Sequence, residues 1–241
     1  MWGLTDVLRP LFRTGSPTQL ITVTCIALYI LSLILDPAGA LKPRGPFEVF
    51  SPSVTALRAL GMTGAGPWLL GHWWTLVTSI YLHGGLLHIL FNVLWIRQLG
   101  PAVEELYGPA RFFVIFTVSG VVGFVVSDAA GVSFTVGASG SIFGLLGAMV
   151  AFGQRRGGVF GTMVLRQYGQ WAVLLFVLGF FMSGVNNLAH AGGFVGGLAS
   201  GLVLSLAERR AETTLDHLLA GGLVIVTVSA FGLALATAFF G

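Results

Sequence analysis

The sequence predicts an all-α polytopic membrane protein, and three observations carry that class. Charge is scarce: 9% of the 241 residues are charged, 55% are hydrophobic, and the mean hydropathy is +0.90. A soluble domain carries about 25% charged residues, so this chain cannot cover a water-facing surface and its solvent is mostly lipid. Apolar runs also recur along the whole length, each close to the roughly 20 residues that cross a bilayer. Finally, there are 35 glycines. In lipid, small residues let helices approach closely, because no hydrophobic effect drives apolar helices together there.

The elements follow in order. A tail, residues 1–17, carries Arg9 and Arg13. The first apolar run covers about 20–35 and stops at Asp36-Pro37. Basic residues, an apolar stretch and Ala38-Gly39-Ala40 also fit a signal peptide, but the run is long for one and the later topology works with the helix retained. Residues 37–80 form a long first loop holding most of the prolines, with Trp68, Trp73 and Trp74 near its end. Tryptophan prefers the membrane–water boundary, so this loop is expected to lie partly in the interface. Further runs cover roughly 84–103, 112–127, 139–153, 170–184, 186–207 and 218–240, which makes seven helices. The organisation read from this is a tail (1–17), a six-helix core (18–207), a linker (208–217) and an extra C-terminal helix (218–240).

Net charge is only +3, and no Lys/Arg-rich run suggests nucleic acid. The basic residues serve better as topology signals. With the N-terminus in the cytoplasm, the inner segments carry Arg9, Arg13, Arg97, Arg111, Arg155, Arg156, Arg166, Arg209 and Arg210, against Lys42, Arg44 and Arg58 outside. That asymmetry satisfies the positive-inside rule. The single cysteine, Cys25, cannot form an intrachain disulfide.

Polar residues within spans are costly and mark function. Here they are His83, His88 and Asn92 in the second run, Ser139 and Ser141 opening the fourth, and Asn187 and His190 in the sixth. At 1.5 Å per residue, Ser139, His190 and His88 lie about 22, 26 and 24 Å from the cytoplasmic boundary. A lone intramembrane histidine is more often structural than catalytic; three such groups at one depth suggest a site. Residues 129–138 must descend from the outer face to Ser139, and non-helical backbone survives there only when protein buries it or water lines it. Gly140 and Gly144 on the fourth run, and Gly193, Gly197 and Gly201 on the sixth, form GxxxG patterns. His190 shares the Gly193/Gly197 face, so close packing would bring Ser139 and His190 together. His83 and His88 are five apart, which is not the i,i+4 zinc pair of HExxH, and no acidic cluster exists for a metal. Without a carboxylate at that depth, Ser139 and His190 would act as a dyad. His88 and Asn92, on one face at i and i+4, could donate to a developing oxyanion.

Four motifs, in order across about residues 70–205, resemble the rhomboid family of intramembrane serine proteases. His83-Gly-Gly-Leu-Leu-His88-Ile-Leu-Phe91-Asn92 is similar to its HxxxxHxxxN. Gly100-Pro-Ala-Val-Glu104-Glu-Leu-Tyr-Gly108 is similar to its GxxxExxxG turn. Gly137-Ala-Ser139-Gly140 resembles the GxSG nucleophile motif, and Ala189-His190-Ala-Gly-Gly193-Phe-Val-Gly-Gly197 resembles AHxxGxxxG. The chain departs at Trp74-Thr75, where the family often has Trp-Arg, so that arginine contact in the first loop is missing.

The resemblance implies a rhomboid-like six-helix bundle with a seventh C-terminal helix. Ser139 would be the nucleophile and His190 the general base, with His88, Asn92 and the Ser139 N–H as the oxyanion hole. Phe143 would stack on His190, His83 would organise the first loop and Glu104 the cytoplasmic turn. The fifth helix and the 183–186 loop would gate a substrate helix. No cofactor or metal is called for. The implied partners are single-pass transmembrane substrates, cut near the outer end of their span, in a cell membrane; oligomeric state is unknown from sequence. Two rivals remain: a catalytically silent relative that binds membrane clients, and a transporter or channel. The first would lack Ser or His, and both are present. The second would show paired broken helices in similar halves, and none is visible.

Overall fold

A computed structural model describes residues 15–42, 50–182, 184–204 and 211–240. Among these residues the chain is all-α, and seven helices of 18–27 residues dominate it. They are α1 (Pro17–Leu35), α2 (Leu86–Tyr107), α3 (Pro109–Ala129), α4 (Ser139–Arg156), α5 (Gly158–Gly179), α6 (Asn187–Leu204) and α7 (Thr214–Phe240). Five of them, α1, α2, α3, α6 and α7, are long and apolar enough to cross a membrane. The expected tail, 1–17, falls mostly outside the described residues.

Local chemistry explains the helix ends. The Ser16 hydroxyl accepts from the Gln19 N–H, and Pro17 opens α1, where its missing donor costs nothing. Pro37 then biases Asp36 out of the helical region and ends α1. The stretch Gly100–Tyr107, read from sequence as a turn, continues α2 through Pro101; only Gly108, at φ +93°, leaves the helix, and Pro109 starts α3. The helix α5 starts at Gly158, well before the apolar run at 170. Arg166, Gln167 and Gln170 lower the hydropathy there but are good helix formers, and they lie on its exposed face.

At the centre stands α4, buried continuously from Gly140 to Gly153. It is enclosed by α6, α3, α5 and α2, so it can carry glycines and serines where a lipid-facing helix needs bulk. The outer faces of α1, α5 and α7 expose large apolar side chains, among them Leu20, Ile34, Val173, Leu174, Leu218 and Ile225.

The segment before α2 is more structured than a loop. Short helical turns cover Val54–Ala59, Ala65–Leu69, Thr75–Thr78 and Ser79–Tyr81, and every residue from Thr75 to His83 is buried. Trp68, Leu69, Leu70 and Trp73 face outward, as an interfacial segment requires. Thr75, standing where the family often has arginine, donates from Oγ1 to Thr63 Oγ1 (3.0 Å), and Thr63 Oγ1 donates to Asp128 Oδ2 on α3 (2.6 Å). A chain of hydroxyls thus anchors this segment.

The last helix is also tied in. Arg111 at the start of α3 pairs with Asp216 at 2.8 Å, both buried. Glu212 Oε1 accepts from the backbone N–H groups of Ala110 and Arg111, taking up orphan donors of α3. Further along, Ala230 and Ala234 are buried, and Phe231 lies 6.1 Å from the Tyr81 ring.

Candidate active site

Ser139 is the first residue of α4. The chain reaches it through residues 130–138, whose backbone groups find partners in the first segment. The Ala65 N–H donates to Val132 O, the Thr135 N–H to Thr63 O and the Gly137 N–H to Ser79 O, at 2.8–3.0 Å. This satisfies the rule that irregular backbone at membrane depth must be paired within protein. Gly137 is glycine for two reasons. Its φ is +126°, and an added Cβ would lie 2.6 Å from His88 Nε2. No side chain caps α4, so its first N–H groups lack intrahelical acceptors and form a partial positive charge beside Ser139. Gly137, Ala138 and Gly140 are buried, while Ser139 itself is half-exposed.

His190 lies in the first turn of α6, with its ring buried and stacked on Phe143 at 4.3 Å and 17°. Phe143 is one turn past Ser139 on the same face of α4, so Ser139 and His190 share one locus. Close glycine packing accounts for this. An added Cβ at Gly193 or Gly197 would fall on the backbone of Gly140 or Gly144, and one at Gly140 would lie 3.4 Å from Ala189 O. The two GxxxG faces therefore meet as their spacing suggests. His190 Nδ1 lies 3.2 Å from Asn187 Oδ1. An amide oxygen only accepts, so the proton sits on Nδ1 and Nε2 keeps a lone pair. Among the described residues, no hydrogen bond joins the Ser139 hydroxyl to His190 in this resting arrangement.

Opposite stands His88, near the start of α2. Its Nδ1 accepts from the Gly84 N–H at 3.3 Å, which assigns the proton to Nε2, the atom facing Gly137. Asn92 is buried, with Nδ2 donating to His88 O at 2.7 Å and Oδ1 unpaired among the described residues. His83 is fully buried, with Nδ1 3.2 Å from Tyr81 O and its ring 5.2 Å from the His88 ring.

Ser139, Gly137, Gly140, Phe143, His190, His88 and His83 thus gather at one end of the bundle, with Asn92 one turn beyond His88. Glu104 does not belong to that cluster. It lies about 24 Å along α2 from His88, and its Oε1 accepts from Thr18 N and Thr18 Oγ1, both at 2.6 Å. It holds the start of α1 against α2 and supports the scaffold. Sequence reasoning noted Asn187 among the intramembrane polar residues but gave it no role; its i,i+3 spacing from His190 was the available signal.

The fold is that of a multi-pass helical membrane protein whose described residues bring a serine, a stacked histidine and uncapped N–H groups together at one end of the bundle. The family follows from comparison: residues 70–207 match the model of the rhomboid domain, and the chain belongs to the rhomboid family. It is 34% identical over 203 residues to rhomboid protease GluP of Bacillus subtilis (strain 168), covering 82% of this chain and 37% of the relative. It is 32% identical over 213 residues to RHOMBOID-like protein 5 of Arabidopsis thaliana, covering 85% of this chain and 68% of the relative. Rhomboid protease GlpG of Salmonella choleraesuis (strain SC-B67) is 32% identical over 206 residues, covering 82% of this chain and 66% of the relative. The chain therefore spans well under half of the Bacillus subtilis protein and about two thirds of the other two.

Proposed function

We propose that this protein is a rhomboid-type intramembrane serine endopeptidase with a Ser139–His190 dyad. The observation that carries the reading is the His190 ring, stacked on Phe143 and held at Nδ1 by Asn187, on the face of α4 that begins with Ser139. His190 Nε2 takes the Ser139 proton as Oγ attacks the scissile carbonyl. The resulting oxyanion is met by His88 Nε2–H, the Ser139 N–H and the remaining Asn92 N–H, with the positive end of α4 behind them. His190 then passes its proton to the leaving amine, and the C–N bond breaks to an ester on Ser139. Water, activated by His190, hydrolyses that ester and restores the serine.

The substrate is a single-pass transmembrane helix, cut near the outer end of its span. Its peptide bonds must unwind before attack, and Ala, Gly or Ser is expected at the cleaved bond: all three are small enough to let the carbonyl reach Ser139, and Gly and Ser also weaken the helix relative to Ala. The catalytic unit is residues 18–207, in a cell membrane, with the N-terminus cytoplasmic, the orientation that the arginine distribution favours. The fifth helix and the loop after it admit the substrate.

The test uses purified protein in liposomes, a panel of transmembrane substrates and a fluorophosphonate label. Wild type is expected to label and cleave, and Ser139→Ala and His190→Ala to lose both, by at least about 10³-fold. Folded wild type that neither labels nor cleaves would sink the protease and leave the client-binding reading.

A further inference from the structure

We infer that Asn186 is a positioning residue that holds the helix carrying the base in register with the loop carrying the nucleophile. This rests on the protease reading above. The Asn186 side chain uses its oxygen and its amide group on three different parts of the chain. Oδ1 accepts from the Ala189 N–H at 3.1 Å, capping α6 one residue before His190. Nδ2 donates to Ser127 Oγ on α3 at 2.6 Å and to Thr135 Oγ1 at 3.1 Å, four residues before Ser139. An amide has two N–H donors, so both are in use.

These bonds close a ring. Thr135 donates its backbone N–H to Thr63 O, Thr63 Oγ1 donates to Asp128 Oδ2, and Asp128 is the chain neighbour of Ser127, which returns to Asn186. Ser127, Asp128, Thr63 and Thr135 are all buried. Low dielectric strengthens such bonds and makes each unmade partner costly. The ring therefore has one favoured geometry, and it spans the start of α6, the end of α3, the first segment and the approach to Ser139. Its place along the chain gives it a purpose. Phe180, Phe181 and Met182, after α5, are exposed, and Asn186 is where the chain is anchored again. Among the described residues, Asn187 and Phe143 contact the His190 ring, and Asn186 fixes the helix that carries it relative to the loop before Ser139; a misplacement of about 1 Å costs up to about 10²-fold in rate.

Three variants separate positioning from folding, all read in liposomes with the substrate that wild type cleaves. Asn186→Ser keeps an N-cap oxygen for Ala189 but is too short to reach Thr135 and Ser127. It is expected to lower kcat and the fluorophosphonate labelling rate about tenfold, with KM within about twofold and the melting temperature lowered by roughly 2–4 °C per kcal/mol of lost hydrogen bonding. Asn186→Asp can cap and can accept from both hydroxyls, and is expected to restore kcat to within about threefold of wild type. Thr135→Val opens the ring from the other side and should add little to Asn186→Ser in the double variant. Wild-type kcat in Asn186→Ser, or a loss that follows the melting temperature alone and is not rescued by Asn186→Asp, overturns the inference. An inactive wild type would instead be the failure of the protease reading itself.

Discussion

The helices α5 and α6 both flank α4, and they hold it by different means. Along α6, contact is backbone on backbone: Gly193 against Gly140, Gly197 against Gly144, Gly147 against Phe194 O and Leu198 N, and Gly201 against Ala148. Along α5, such contact occurs near its start, where a Cβ added at Gly153 would lie 2.7–2.8 Å from Leu165 N and Gly161 O. Beyond that, α5 is held by rings. Phe176 meets Phe143 edge-on at 6.4 Å, and Trp171 meets Trp95 of α2 at 5.5 Å. Backbone contacts have no rotamers to change, so the α4–α6 contact offers no side-chain rearrangement through which it could open. Ring contacts can be exchanged, which makes α5 the cheaper wall to open. The helix bearing the proposed base is the fixed one, and the helix proposed to admit substrate is the one held by side chains.

The contrast breaks most severely at Gly197. Gly197→Leu drives a side chain into the Gly144 backbone, which cannot move aside. Overpacking typically costs about 1–3 kcal/mol, and the upper end or beyond is expected here. Thermal unfolding in detergent should show it, together with loss of labelling at Ser139. Phe143→Ala comes next. It removes the ring under His190, and labelling should slow about tenfold or more at a moderate stability cost; an unchanged labelling rate would mean that stacking does not orient the imidazole. Trp171→Ala should act in the opposite direction on turnover. Freeing α5 from Trp95 is expected to raise cleavage of a transmembrane substrate a few-fold and to cost about 1 kcal/mol of stability, while leaving cleavage of a short soluble peptide unchanged. The smallest effect belongs to Gly169→Ala on α5, where an added Cβ meets nothing within 4 Å. Its stability should change by less than about 1 kcal/mol, in the stabilising direction that helix propensity gives.

The site was more legible than the scaffold around it. Ser139, His190 and His88 stood out because a polar group in an apolar run is visible without knowing its partner, and helical rise converts position into depth. The glycine faces were legible for the same reason, since GxxxG is a local pattern. Glu104 was less so: its motif suggested a turn, yet the chain stays helical to Tyr107, and its partner is Thr18, far away in sequence. The start of α5 was hidden because hydropathy drops at Arg166 and Gln170 while the helix does not.

By itself the sequence determined the class of solvent, the order of the apolar helices, and the residues able to do acid–base and nucleophilic chemistry, because hydropathy and side-chain chemistry are properties of short segments. Tertiary structure decided which tautomer His190 and His88 take, through Asn187 and Gly84. It also decided how Thr75, Thr63 and Asp128 anchor the first segment, and how Arg111 and Asp216 tie α7 to α3. Two of these pairings, Thr63–Asp128 and Arg111–Asp216, join groups 65 and 105 residues apart, and a buried polar atom accepts whichever partner the packing brings within about 3 Å. That choice is made only when the helices have met.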